Sequence, residues 1–185
     1  RLNRPLIGCD GEGAGVDELG RQNYQLFRMG ERELFRDGER LTTHEILDFI
    51  CDADNKNIYV GFAFGYDVTM ILRDLPEIQQ RKLFDYLPRN YLAVRRVKIV
   101  RNPVTGEVKR EFIKGSLIKI YETFGFFQSS FIKALQMFDV GSSEQIESLI
   151  YNKNRRSDFL TIDQEERDYC ALECELLGEL MGRLR

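Results

Sequence analysis

The chain has 185 residues, 43% of them hydrophobic and 31% charged, with a net charge of −3. That is enough apolar material for one core of ordinary domain size, and the slight acidity excludes a polycation that binds nucleic acid over its whole surface. No apolar run approaches the ~20 residues of a membrane span, and no signal-peptide pattern opens the sequence, so an intracellular protein with no membrane partner is expected. It begins at Arg1 rather than Met, as a domain excised from a longer protein would. The four cysteines, Cys9, Cys51, Cys170 and Cys174, match no zinc spacing, and His44 is the only histidine. Small buried thiols in a reducing compartment are therefore expected.

Leu6, Ile7 and Cys9 read as a buried strand, with Asp10 and Glu12 at its C-terminal end and glycines on both sides of each acid. Residues two apart on a strand share a face. The two carboxylates therefore repel unless a cation sits between them, and Mg²⁺ or Mn²⁺ suits such oxygen ligands. Gly13 to Gly20 reads as a loop. Asn23 to Met29 and Arg32 to Phe35 complete an antiparallel meander, with Gln25 pointing outward and Asp37-Gly38 as a turn. Thr42 and Glu45 have the spacing of a capping box, and Ile46, Leu47, Phe49 and Ile50 give that helix its apolar face. His44 is expected on its surface.

Asn57 to Gly61 is the next buried strand, followed by Phe62-Ala63-Phe64-Gly65-Tyr66-Asp67. Asp67 falls where the strand yields to a helix, a position suited either to an N-cap or to a site. A short helix is expected from Glu77 to Tyr86. Ala93 to Ile120 reads as a β-hairpin turning near Asn102 to Gly106. Arg95, Arg96, Lys98, Arg101, Lys109, Arg110, Lys114 and Lys119 crowd it. Such a ribbon suits a phosphodiester backbone, and it equally suits a charged outer face that protects sheet edges. Lys119 to Thr123 reads as a strand running on into Phe124-Gly125-Phe126-Phe127. A helix starts at Gln128 or Ser129. Gly141 to Thr161 is read as irregular, with the segment around Lys153 looping over a site. A long helix closes the chain from about Asp163. On it Tyr169 and Glu173 lie one turn apart on one face, whereas Asp168 is rotated about 140° from Glu173.

At this point the chain resembles the DEDD-type 3′→5′ exonuclease domain of family B DNA polymerases, in the tyrosine branch, and most of all its viral, plasmid and organellar members. Asp10 and Glu12 are similar to the first family motif. Tyr66 and Asp67 are similar to the second. Tyr169-Cys170-Ala171-Leu172-Glu173 is similar to the Tyr-Cys-x-x-Asp of the third. The resemblance covers nearly all of residues 1–185, taken as one exonuclease domain. It implies an RNase H-like α/β fold, with a mixed five- or six-stranded sheet flanked by helices and a basic hairpin inserted. It also implies two divalent ions, Mg²⁺ or Mn²⁺, held by Asp10, Glu12, Asp67 and Glu173, with Tyr169 orienting the attacking water.

The implied substrate is a single-stranded or frayed DNA 3′ end, and nucleoside monophosphates are released, as in proofreading. The expected nucleic-acid contacts are Gly13, Phe62, Phe64, Tyr66, Arg95, Arg96, Lys98, Lys109, Arg110 and Lys153. A polymerase domain in the same or another chain is the implied partner. Two positions depart from the family: Glu173 stands where Asp is usual, and Ala63 stands where several members place a strand-binding Asn. These departures leave open a catalytically degenerate module that binds single-stranded DNA or buttresses a polymerase. An RNase H-like endonuclease is a third reading.

Overall fold

The computed structural model describes residues 3–86, 91–155 and 161–184. The chain opens with β1 (Leu6–Val16), β2 (Gln22–Met29), β3 (Arg32–Phe35), α1 (Thr43–Cys51), β4 (Ile58–Gly61), α2 (Gly65–Ile71) and α3 (Glu77–Tyr86). It continues through β5 (Tyr91–Val94), β6 (Val97–Arg101), β7 (Val108–Phe112), β8 (Ile118–Glu122), α4 (Phe124–Phe127), α5 (Phe131–Met137), α6 (Ser143–Arg155) and α7 (Gln164–Arg183). Six strands form one mixed sheet in the order β3-β2-β1-β4-β8-β5, and β6 and β7 form a separate ribbon. The α/β class, the strand number and the flanking helices agree with the sequence reading.

The order follows from local chemistry. β1, β2 and β3 form the expected antiparallel meander. β1, β4 and β8 are parallel and occupy the centre. Parallel central strands are covered on both faces, and β4 shows it: Tyr59 packs into the core under α1 and α2, and its neighbour Val60 packs into the core with α5, α6 and α7. Thr42 caps α1 as a full capping box with Glu45. His44 stays exposed beside Asp48.

Several expectations are corrected. β1 does not stop at Gly13. It bends through two irregularities and keeps pairing with β2 as far as Val16 opposite Gln22, because Gly13 and Gly15 accept backbone geometry that bulges require. Gln25 is buried rather than outward, and its amide nitrogen donates to the Ala14 carbonyl in this extended part of β1. The strand expected to run through Phe124 ends at Glu122, and Phe124 to Phe127 make a single helical turn. The hairpin is shorter than 93–120. β5 and β8 belong to the main sheet, and only Val97 to Phe112 form the ribbon.

The segment read as irregular after Gly141 holds helix α6. Its signal was a second capping box: Ser142 accepts from the Gln145 backbone N–H, and the Gln145 side chain accepts from that of Ser142. The loop expected around Lys153 is thus the last turn of a helix, and Arg156 lies outside the described residues.

Candidate metal and nucleic-acid site

The site forms where the parallel pairing of β1, β4 and β8 ends, the usual place for ligands on parallel strands. Cys9 pairs with Gly61, and Gly61 with Glu122, so Asp10, Phe62 and Thr123 are the first residues past that line. Leu6 packs into the α7 side of the core, and a β-carbon on Gly8 would sit 2.1 Å from the Cys174 carbonyl oxygen. By strand alternation Asp10 and Glu12 face α7 as well. Gly178, one turn further along α7, also lies close to the strand: a β-carbon there would be 3.0 Å from the Leu6 carbonyl oxygen. The helix therefore lies almost on the backbone of β1, and Glu173 is carried up to the two acids. Oxygens of Asp10, Glu12 and Glu173 all lie within 4.8 Å of one another. Asp168, the competing acid on α7, is exposed and bonded to Gln164.

Burial pushes the Asp10 carboxyl well above the usual carboxylate range, and the charges of Glu173, Asp67 and Glu12 push it further. Asp10 Oδ2 is buried and accepts no hydrogen bond. An orphan buried carboxylate oxygen is costly, and a bound cation would satisfy it. The donor set is three hard carboxylates whose mutual spacing fits ligands ~2.0–2.4 Å from one ion. Asp10, Glu12 and Glu173 could thus hold a hard divalent cation.

Asp67 is buried in the first turn of α2, and the N-cap position belongs to Phe64 instead. The Tyr24 hydroxyl donates to Asp67 Oδ1 at 2.8 Å. Asp67 raises the Asp10 pKa and lines a cavity with Asp10 and Glu12, yet it stands outside the tight group of three.

The cleft has two lobes that share Asp10, Phe62 and Ala63. One, of about 520 Å³, is lined by Phe124, Gln128, Ser129, Lys153 and Glu173 among others. The other, of about 290 Å³, adds Glu12, Gln22, Tyr66 and Asp67. Ala63 between them has φ 54°, a left-handed conformation rare for alanine. It is held by Glu122, whose Oε1 accepts from the Ala63 N–H at 3.1 Å and from the Phe124 N–H at 2.7 Å. Strain of this kind concentrates at functional sites.

Comparison with protein-family models, with curated proteins and with solved structures finds no match.

Of the expected nucleic-acid contacts, Phe62, Tyr66 and Lys153 line the cleft. Tyr66 is also bonded to Gln22. Phe64 does not belong with them: it is buried in the core beside Phe27, and its ring occupies the space above Gly61. Gly13 is likewise buried, closed over by Asn23 and Gln22. Tyr169 is buried among the α5–α6–α7 core residues and lines neither lobe.

The hairpin cations are placed elsewhere. Their ribbon is rooted where Val94 meets Ile118, the start of β8, whereas the acids lie past its end. Four residue steps separate the two levels, ~13 Å at strand rise. Arg96 is tied to Asp48 and Asp52, Lys98 to Glu111 and Lys109 to Glu107, while Arg95 lies over the Phe112 ring. Arg110 makes no ion pair with another described residue.

Residues missed from the sequence are Gln22, Tyr24, Glu122, Phe124, Gln128 and Ser129. Their roles depend on strand ends meeting across the sheet, for which no motif exists. Among the described residues no helix is long and apolar enough to cross a membrane.

Proposed function

We propose that this chain is a metal-dependent 3′→5′ exonuclease of RNase H-like architecture that trims single-stranded or frayed DNA ends, as in proofreading. One observation carries the reading: Glu173, far along the chain, meets Asp10 and Glu12 just past the parallel pairing of the central strands, around a buried Asp10 oxygen that accepts no hydrogen bond. A divalent ion bound by these acids would supply Lewis-acid stabilisation of the phosphoryl oxygens and an acidic water. Asp67, which lines the smaller lobe with Asp10 and Glu12, would assist a second ion through solvent. Phe62 offers a ring at the junction of the lobes on which a base can stack. Lys153, which lines the larger lobe together with Asp10, suits a phosphate. Tyr169 in its buried setting acts by fixing α7, so its role is to position Glu173.

The test is digestion of a 5′-labelled single-stranded oligonucleotide with Mg²⁺, Mn²⁺ or chelator. A ladder of successive 3′ losses that needs metal and disappears in Asp10→Ala supports the proposal. Binding without cleavage by the wild type would replace it with the strand-binding module. Nicking of closed circular DNA would replace it with an endonuclease.

A further inference from the structure

The β6–β7 ribbon has two chemically different faces. Directly paired residues point the same way. Val97 with Phe112, Ile99 with Arg110 and Arg101 with Val108 therefore form one face. Lys98 with Glu111 and Val100 with Lys109 form the other. On the second face each lysine meets a glutamate, Lys98 with Glu111 and Lys109 with Glu107. The first face has no carboxylate. Arg101 and Arg110 make no ion pair with any described residue, and Arg95 joins them by lying over Phe112. Between the arginines the apolar side chains stand open: Val97 is 51% exposed, Ile99 72%, Val108 52% and Phe112 66%. Among the described residues the two strands pair only with each other, which leaves both outer edges of the ribbon open there.

We propose that this face docks a short protein segment in which carboxylates are interspersed with apolar side chains. Three guanidiniums with no ion-paired carboxylate among the described residues suit an anionic partner. Aliphatic side chains set between them require an apolar one, which a phosphodiester backbone does not supply. The segregation has the composition of protein–protein interfaces, where arginine and aromatic residues are enriched and lysine and glutamate depleted. A ribbon this small is well below the ~800 Å² that each partner buries in a standard interface, so the occupant is a short segment rather than a globular surface. An extended segment can also pair with an open ribbon edge.

The test uses the whole chain and fluorescence anisotropy. The probes are a labelled synthetic peptide alternating glutamate with valine, the same peptide with serine for valine, and a single-stranded oligonucleotide. The glutamate–valine peptide is expected to bind. Its affinity should fall about tenfold or more, the loss of a strong contact, in Arg101→Glu with Arg110→Glu, and again in Ile99→Ser with Val108→Ser. Lys98→Ser with Lys109→Ser and Asp10→Ala should leave it unchanged, which separates this surface from the acidic cleft. Circular dichroism confirms that each variant folds. Three results would overturn the proposal: no peptide binding, equal binding of the serine peptide, or tighter arginine-dependent binding of the oligonucleotide.

Discussion

Gly8 of β1 and Cys174 of α7 are in backbone contact: a β-carbon on Gly8 would meet the Cys174 carbonyl carbon at 2.8 Å and its oxygen at 2.1 Å. The neighbour is main chain and cannot swing aside. Gly8→Ala is therefore expected to push α7 off β1 and move Glu173 away from Asp10. Overpacking of this kind costs about 1–3 kcal/mol. The variant should unfold earlier in urea and bind Mn²⁺ more weakly in a paramagnetic titration, although no acid has been changed. Unaltered Mn²⁺ affinity would mean that helix placement does not set the site.

Asp10 carries the electrostatic stress of the cluster. Its folded pKa is raised, first by burial and then by Glu173, Asp67 and Glu12. A raised carboxyl pKa favours folding below the unfolded value of ~3.9 and loses that contribution as pH rises through the folded value. Without metal, Asp10→Asn should thus melt higher than the wild type at pH 8, and the gap should close toward pH 4. Added Mg²⁺ should raise the wild-type melting temperature and leave the variant's unchanged. A metal-free variant that melts lower at pH 8 would contradict this account.

Tyr24 supports the second acid. Its hydroxyl is buried and donates to Asp67. Tyr24→Phe removes the donor and leaves the carboxylate less satisfied, a loss of about 1–3 kcal/mol. Equilibrium urea unfolding should show it as a lower midpoint with an unchanged slope. Exonuclease activity should fall while Mn²⁺ affinity at the Asp10–Glu12–Glu173 group holds. An unshifted midpoint would remove Tyr24 from the support of Asp67.

Asp17 gives a pH dependence of the opposite sign. Hydrogen bonds from the backbone of Arg21, its side chain and Leu19 lower its pKa to about 2, and Arg73 pairs with the same carboxylate. A depressed pKa contributes stability above the unfolded value of ~3.9, lost as pH falls through the folded value. Asp17→Asn should melt lower than the wild type at pH 6, and the two should converge as pH approaches 2. A difference that persists at pH 2 would show that the loop depends on something other than this charge.

Lys153 projects from the last turn of α6 into the larger lobe. Lys153→Ala is expected to raise KM for a single-stranded substrate more than it lowers kcat, because exposed cations mainly hold phosphates. Steady-state kinetics at several salt concentrations should show a shallower salt dependence than the wild type. An unchanged slope would exclude a phosphate contact.

What was legible in the sequence was periodic or spaced. The capping box of Thr42 with Glu45 and the one-turn spacing of Tyr169 and Glu173 each specify local geometry, and the structure agrees; β2 is a strand as read, but its alternation is not kept, because Tyr24 to Phe27 are all buried. Helical rotation sets Asp168 and Glu173 on different faces, and the resemblance to the family's tyrosine motif points to Glu173. Phe64 was misjudged because a buried ring and a stacking ring look alike in a run of aromatics; the decision lies with Gly61, whose missing side chain makes room for it. The basic hairpin was misplaced for a different reason. Its charges were countable, but their distance from the acids depends on strand register, and the pairing of Arg96 depends on Asp48 and Asp52 at the end of α1, far off in sequence. Ser142 and Gln145 were readable and were overlooked.

The distance in sequence between Asp10 and Glu173 has a consequence during synthesis. Proteins emerge and fold from the N-terminus, so the meander and the central strands can assemble while α7 is still inside the ribosome. Throughout that interval Asp10 and Glu12 lack their third carboxylate. A nascent polypeptide is therefore unarmed, and whatever chemistry the acids perform is withheld until the closing helix docks.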